Sequence, residues 1–389
     1  MDILIIGAGL TGAVLARQLA ENHNKKVVIW ERRNHIGGNM YDYKDEYNIL
    51  VQKYGPHTFH TKEKYLYDYM CKYGQWQPYK LKCMAVIDGM ATPTPFNYKT
   101  IDDFYSQEEA ADLKSRIEKE YSGRKTATVL EVLNSKDEKI RQYAEFLYEK
   151  DYKLYTAKQW GIPADKIDKS VLERVPLRFS YDEGYFDDEY EVMPEISFTN
   201  FFENIFNHKN IEVVLNKEAL NHINIKDNNI FIDNKNLNIP VIYTGALDEL
   251  FNLEYGRLPY RSLKFEFKYE DIESFQDAPV TAYPQAKDFT RITEYKKLPY
   301  QNVKGTTYAV EYPLFYNNNS NEYMEPYYPV ITEESKNLYA KYKEKAKNIK
   351  NLIYAGRLAD FKYYNMDMAL KRALEVYEEI KEKYIKRKG

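Results

Sequence analysis

The apolar run Ile3-Leu4-Ile5-Ile6, behind Asp2, breaks off at Gly7-Ala8-Gly9-Leu10-Thr11-Gly12. A short apolar run bounded by glycine predicts a buried strand over residues 2–6. Ala13–Asn22 predicts a helix, and residues 27–31, VVIWE, a second strand. The order is strand, glycine turn, helix, strand, with an acid, Glu31, about 20 residues beyond the turn. Further along the rhythm changes. Residues 100–150 keep helical spacing, with Thr100 and Thr126 as the expected N-terminal signals. Short strands follow at Ile211–Leu215, Ile230–Ile232 and Val241–Thr244, separated by Asn-rich turns. Arg261–Tyr269 and Thr306–Tyr312 alternate like strands of a further sheet. Leu352-Ile353-Tyr354 ends in Ala355-Gly356-Arg357, and Asp367–Ile385 predicts a long helix.

These elements predict an α/β fold. A Rossmann-like dinucleotide-binding domain (1–80, 195–250 and 340–389), read below as FAD-binding, would carry an inserted helical domain (95–175) and an antiparallel β-sheet domain (81–94, 176–194 and 251–339). In the opening turn, Gly7, Gly9 and Gly12, with Leu10 and Thr11, would let the backbone approach a pyrophosphate seated on the helix N-terminus. Glu31, followed by Arg32, would accept hydrogen bonds from ribose hydroxyls. A second glycine pair, Gly37-Gly38 before Asn39, lies just after the second strand. Such a pair admits the ribityl-pyrophosphate part of FAD and favours FAD over NAD. Gly356-Arg357, closing a late strand, would bring a helix N-terminus toward the flavin, where it stabilises negative charge.

Composition narrows the class. A chain of 389 residues is long enough for two or three domains, and 44% hydrophobic with 30% charged residues is the balance of a globular protein. A net charge of −3 gives no bulk field for nucleic acid or an anionic membrane. Two cysteines, Cys71 and Cys83, exclude a disulfide framework. No apolar stretch is long enough to span a bilayer and no basic leader precedes a cleavage site, so a cytoplasmic enzyme is expected. His57 and His60 form an H-x-x-H pair, but no acidic or cysteine partners cluster nearby, so no metal is expected.

The pieces GAGLTGAV, RRNHIGGNMYD, YGPHTFHT, YTAKQWG, VPLRFSYDEGYF, TRITEYK, PYYP and GRLADFKYYNMD occur in this order from Asp2 onward. As a set they resemble the UDP-galactopyranose mutases. That resemblance implies a flavoenzyme, active with reduced FAD, that interconverts UDP-galactopyranose and UDP-galactofuranose without net redox change. It implies attack of flavin N5 on the anomeric carbon. Arg174 and Arg291 would grip the diphosphate, since guanidinium forks match phosphate oxygens, with Arg174 on a mobile lid. Tyr155, Trp160 and Tyr185 would form the uridine cleft, and Tyr328 and Tyr363 would contact the diphosphate. His57, His60 and Arg357 would lie against the flavin, with Tyr363, Asn365 and Met366 alongside. Asn365 stands where some members have an acid, which removes a proton carrier there. Arg261 and Glu311 are weaker carry-overs. A UDP-sugar, a flavin reductant and a second copy in a homodimer are the implied partners. The same chemistry on UDP-N-acetylgalactosamine, an amine oxidase-like flavin oxidoreductase and a non-catalytic flavin scaffold are the alternatives.

Overall fold

The strand–turn–helix–strand pattern folds as expected into Ile3–Ile6, helix Leu10–His23 and Val27–Trp30. The computed structural model describes residues 1–161, 163, 172, 175–317 and 324–385. The helix starts at Leu10, inside the glycine turn, rather than at Ala13. A five-stranded parallel sheet takes the order Ile211–Val214, Val27–Trp30, Ile3–Ile6, Val241–Tyr243, Leu352–Tyr354. Leu4 sits between Val28 and Val241 in register. Parallel strands need long crossovers, and those crossovers cover both faces. Ile3 and Ile5 pack toward Val14, Leu370 and Ala373. Leu4 and Ile6 pack on the other side, toward Leu247, Tyr342 and Ala346. The opening run is therefore apolar at every position and does not alternate.

A seven-stranded sheet stands beside it, in the order Tyr328–Pro329, Tyr260–Glu270, Thr306–Phe315, Arg291–Glu294, Val280–Ala282, Cys83–Ile87, Met90–Thr94. Its neighbours are antiparallel except Val280–Ala282 and Cys83–Ile87, which run parallel. Tyr190–Pro194 lies between Phe59–Thr61 and Trp76–Pro78 in a three-stranded sheet.

The segment from 98 to 160 is mainly helical, and its core includes Ile101, Leu113, Ile117, Ile140 and Leu147. Its caps differ from the sequence reading. Asn97 caps helix Tyr98–Phe104, and Thr100 is its partner three residues inside. Asn97 accepts from the Lys99 and Thr100 amides, and the Thr100 hydroxyl accepts from the Asn97 amide in return, a reciprocal cap. Thr126 lies in a short strand paired with Arg178, and Thr128 caps the next helix, Val129–Val132. The long helix spans Met366–Ile380 and passes into a wide π turn, Lys381–Ile385. Among the described residues, no helix is long and apolar enough to cross a membrane.

Candidate active site

Two cavities meet at the C-terminal ends of the parallel strands. The first, about 220 Å³, is lined by the turn residues Gly7, Gly9, Leu10, Thr11 and Gly12. Glu31, Arg32, Gly37, Gly38 and Asn39 form a second side, and Gly356 closes it. Gly7 has φ +106°, and a Cβ there would stand 2.1 Å from the Thr244 hydroxyl oxygen. A Cβ on Gly38 would come within 2.9 Å of the Gly9 Cα. The two glycine turns thus touch backbone to backbone. Gly9 gives helix Leu10–His23 no side-chain cap, so its first amides remain for a ligand anion.

Glu31 is buried and braces this turn. Its Oε2 accepts the Ala8 amide at 2.8 Å, and Oε1 accepts the Arg33 amide at 2.9 Å. Each oxygen keeps a second lone pair for a ribose. Arg32 and Arg33 both pair with Glu325, at 3.0 and 2.7 Å. Burial pushes the Glu325 carboxyl up, but the two guanidiniums outweigh it and hold the group below its ordinary value. Nothing adjacent in sequence signals Glu325.

The second cavity, about 290 Å³, brings together Tyr155, Trp160, Tyr185, Arg291, Tyr328 and Tyr363. His60 lines it as well. Both cavities share His57, Arg357, Asn365 and Met366. Helix Met366–Ile380 begins at this junction, and Asn365 adds no side-chain cap to it. Tyr328 and Tyr363 stack with centroids 5.3 Å apart, and the Arg357 guanidinium lies 5.7 Å from each ring. Trp160 stands 6.3 Å from Tyr328 and 6.4 Å from Tyr363.

Adjacent strands place Arg291 opposite Glu311, and Arg291 Nε donates to Glu311 Oε2 at 2.7 Å. Burial pushes the Tyr155 phenol well above its ordinary value and the Tyr328 phenol up to about 12, so both remain hydrogen-bond donors. Burial also pushes the His57 imidazole down to about 4, keeping it neutral. His57 Nδ1 lies 2.8 Å from the Gly55 carbonyl, to which it donates. His60 stacks on Phe186 at 3.6 Å, and its Nδ1 donates to Asp188 at 2.5 Å. Asp188 and Phe186 follow Tyr185 closely, so that motif carried more of the site than its tyrosine alone.

Two further residues were expected from the sequence. Arg174 lies outside the described residues. Arg261 lines neither cavity; its guanidinium donates to the Gln159 carbonyl at 2.9 Å and the Lys158 carbonyl at 3.4 Å, at the end of helix Lys153–Trp160. An arginine near a helix C-terminus satisfies carbonyls that the helix leaves unpaired. Cys83 also lines the second cavity, but burial pushes its thiol up to about 12 and leaves it inert.

The UDP-galactopyranose mutase family model matches residues 150–363. The chain belongs to the UDP-galactopyranose mutase family. It is accordingly an enzyme of the isomerase class. An NAD(P)-binding Rossmann-like domain model matches residues 5–73, across the first cavity's glycine turns. The chain is 35% identical to a dTDP-fucopyranose mutase of Escherichia coli over 96% of both chains. It is 32% identical to the UDP-galactopyranose mutase of Mycoplasma pneumoniae, over 97% of this chain and 96% of that one. Its fold is similar to that of a reduced UDP-galactopyranose mutase crystal structure (TM-score 0.72, 16% identity, 97% and 93% covered). It also shares a fold with putrescine oxidase (TM-score 0.57, 13% identity, 97% and 98% covered).

Proposed function

We propose that the chain interconverts UDP-galactopyranose and UDP-galactofuranose, with FAD in the first cavity and the nucleotide sugar in the second. The observation that carries this reading is the shared wall of His57, Arg357, Asn365 and Met366. A dinucleotide laid along the glycine turns would present its reactive end where a sugar in the second cavity ends. The first cavity fits such a group: Gly9 and Gly38 form a cradle that a Cβ would fill, and the helix behind it has no side-chain cap. When bound and reduced, FAD would supply a nucleophilic N5 for the anomeric carbon, with no net redox change.

The chain's own residues position and neutralise. Arg291, fixed by Glu311, would hold a diphosphate oxygen, with Arg174 as the second guanidinium expected from the sequence. Tyr328 and Tyr363 would donate their hydroxyl protons to the same diphosphate as it leaves and returns. His60, oriented by Asp188, would hydrogen-bond the sugar or the flavin. The three domains named above would divide this labour, the helical one covering the sugar. A cytoplasmic homodimer supplied by a flavin reductant belongs to the same proposal.

Chromatography of UDP-galactofuranose incubated with the purified protein, with and without dithionite, tests the reading. Conversion to UDP-galactopyranose only under reduction supports it. The 35% identical relative makes dTDP-fucose a second candidate, so dTDP-fucofuranose is assayed in parallel, followed by UDP-N-acetylgalactofuranose. Faster conversion of either moves the substrate within the same chemistry. No conversion of any, with flavin bound, overturns the proposal.

A further inference from the structure

None of the roles above uses Asp151, a carboxylate in the wall of the second cavity. It lies in a wide π turn, Tyr148–Tyr152, between helices Glu138–Leu147 and Lys153–Trp160. Such turns insert a residue into the helical register and re-aim side chains. Here Asp151 and Tyr152 both reach the cavity, one turn before Tyr155 and Thr156, which also line it. Among the described residues, none donates a hydrogen bond to the Asp151 carboxyl. Lys158, whose charge acts on it, donates instead to the carbonyls of Tyr283, Pro284 and Ala286. A carboxyl in a cavity wall without a protein donor is built for a donor on a ligand.

Its place along the cavity says which donor. Arg291 lies on the sheet side of the cavity, in strand Arg291–Glu294, whereas Asp151 lies on the helical side, in the turn Tyr148–Tyr152. Asp151 is thus set off from the guanidinium that would hold the diphosphate, on the helical side of the cleft. A carboxylate also repels phosphate. With the sugar at the junction and the diphosphate at Arg291, the nucleoside base remains for the far side. Uracil and thymine both present one ring donor, N3–H. Burial pushes the Asp151 carboxyl up to about 7, yet either protonation state keeps an acceptor oxygen.

We propose that Asp151 accepts the N3–H of the pyrimidine base and so selects the nucleotide. The inference rests on the nucleotide-sugar reading above. The test titrates the holoenzyme with UDP and with 3-methyluridine 5′-diphosphate, which lacks that hydrogen, by calorimetry. Wild type should bind the methylated ligand at least about tenfold more weakly. Asp151→Leu should bind UDP about tenfold more weakly and no longer separate the two ligands. Asp151→Asn keeps an acceptor oxygen and should bind UDP within about threefold of wild type. Equal affinity of wild type for both ligands overturns the inference and leaves the nucleotide-sugar reading standing. Undiminished discrimination in Asp151→Leu also overturns it, because another group then reads N3. Failure of wild type to bind UDP or dTDP overturns the underlying reading, and the inference with it.

Discussion

Arg291 and Glu311 face each other across adjacent antiparallel strands, and one guanidinium nitrogen, Nε, is committed to the carboxylate at 2.7 Å. Glu311 is buried and also takes the Thr290 hydroxyl at 3.2 Å. The pair aims the remaining Arg291 donors into the cavity, because a planar fork held at Nε cannot swing. Arg291→Ala should lower kcat/KM for UDP-galactofuranose by about 100-fold or more, while flavin absorbance per chain stays unchanged. Loss of flavin together with activity would move Arg291 from substrate to cofactor.

Glu311 acts through Arg291 and is a positioning residue. Glu311→Ala leaves the guanidinium without its counter-ion and should destabilise the fold by about 3 kcal/mol, read from denaturant unfolding. Glu311→Gln keeps one acceptor and should cost less stability. Its KM should rise while kcat changes little; an unaltered KM would show that Arg291 holds its direction unaided.

The contact of the two glycine turns gives a sharper test of the first cavity. Gly38 has φ +57°, and its Cβ would press on the Gly9 Cα at 2.9 Å. Gly38→Ala should cost at least about 1 kcal/mol of strain and part the turns. The purified variant should carry markedly less flavin, measured by absorbance. Full flavin content would show that the turns need not touch.

What was legible in the sequence follows from locality. The opening β-α-β unit could be read because its apolar runs and glycines lie within about 30 residues. The caps were misread because Thr100 and Thr126 stand within three residues of the true caps, Asn97 and Thr128, and all four side chains can cap. Partners distant in sequence left no local trace. His60 and Asp188 are 128 positions apart, and Arg33 and Glu325 292. Arg261 is a weaker carry-over of the resemblance, and its strand directs it to the end of a helix.

His57 makes stability depend on acidity. Its folded pKa, about 4, lies below the ordinary imidazole value because burial disfavours the cation. Between those values the unfolded chain binds more protons, so the stabilisation is complete above about pH 6.5 and is lost as pH falls toward 4. His57→Gln should flatten unfolding free energy against pH over that window, by about 1 kcal/mol at about pH 5.5. A slope identical to wild type would locate the acid sensitivity elsewhere.

Asp188 fixes which nitrogen of the neutral His60 ring carries the proton: with Nδ1 donating to the carboxylate, Nε2 is the acceptor of that tautomer. Asp188→Asn should lower kcat about tenfold, with UDP affinity kept. Nitrogen-15 NMR of His60 should then show mixed tautomers. A single tautomer with reduced kcat would argue for an electrostatic effect of Asp188 instead.

The parallel sheet also dictates when the protein can mature during synthesis. Its central strand, Ile3–Ile6, leaves the ribosome well before one of its two neighbours, since it pairs with Val27–Trp30 and with the distant Val241–Tyr243. The outer strands are Ile211–Val214 and Leu352–Tyr354, and Tyr377 closes over the first helix through Asn22 and His23. A nascent chain therefore carries an exposed apolar strand edge and an open phosphate turn until those later segments have emerged. The phosphate turn is therefore completed late, after residue 377 has emerged.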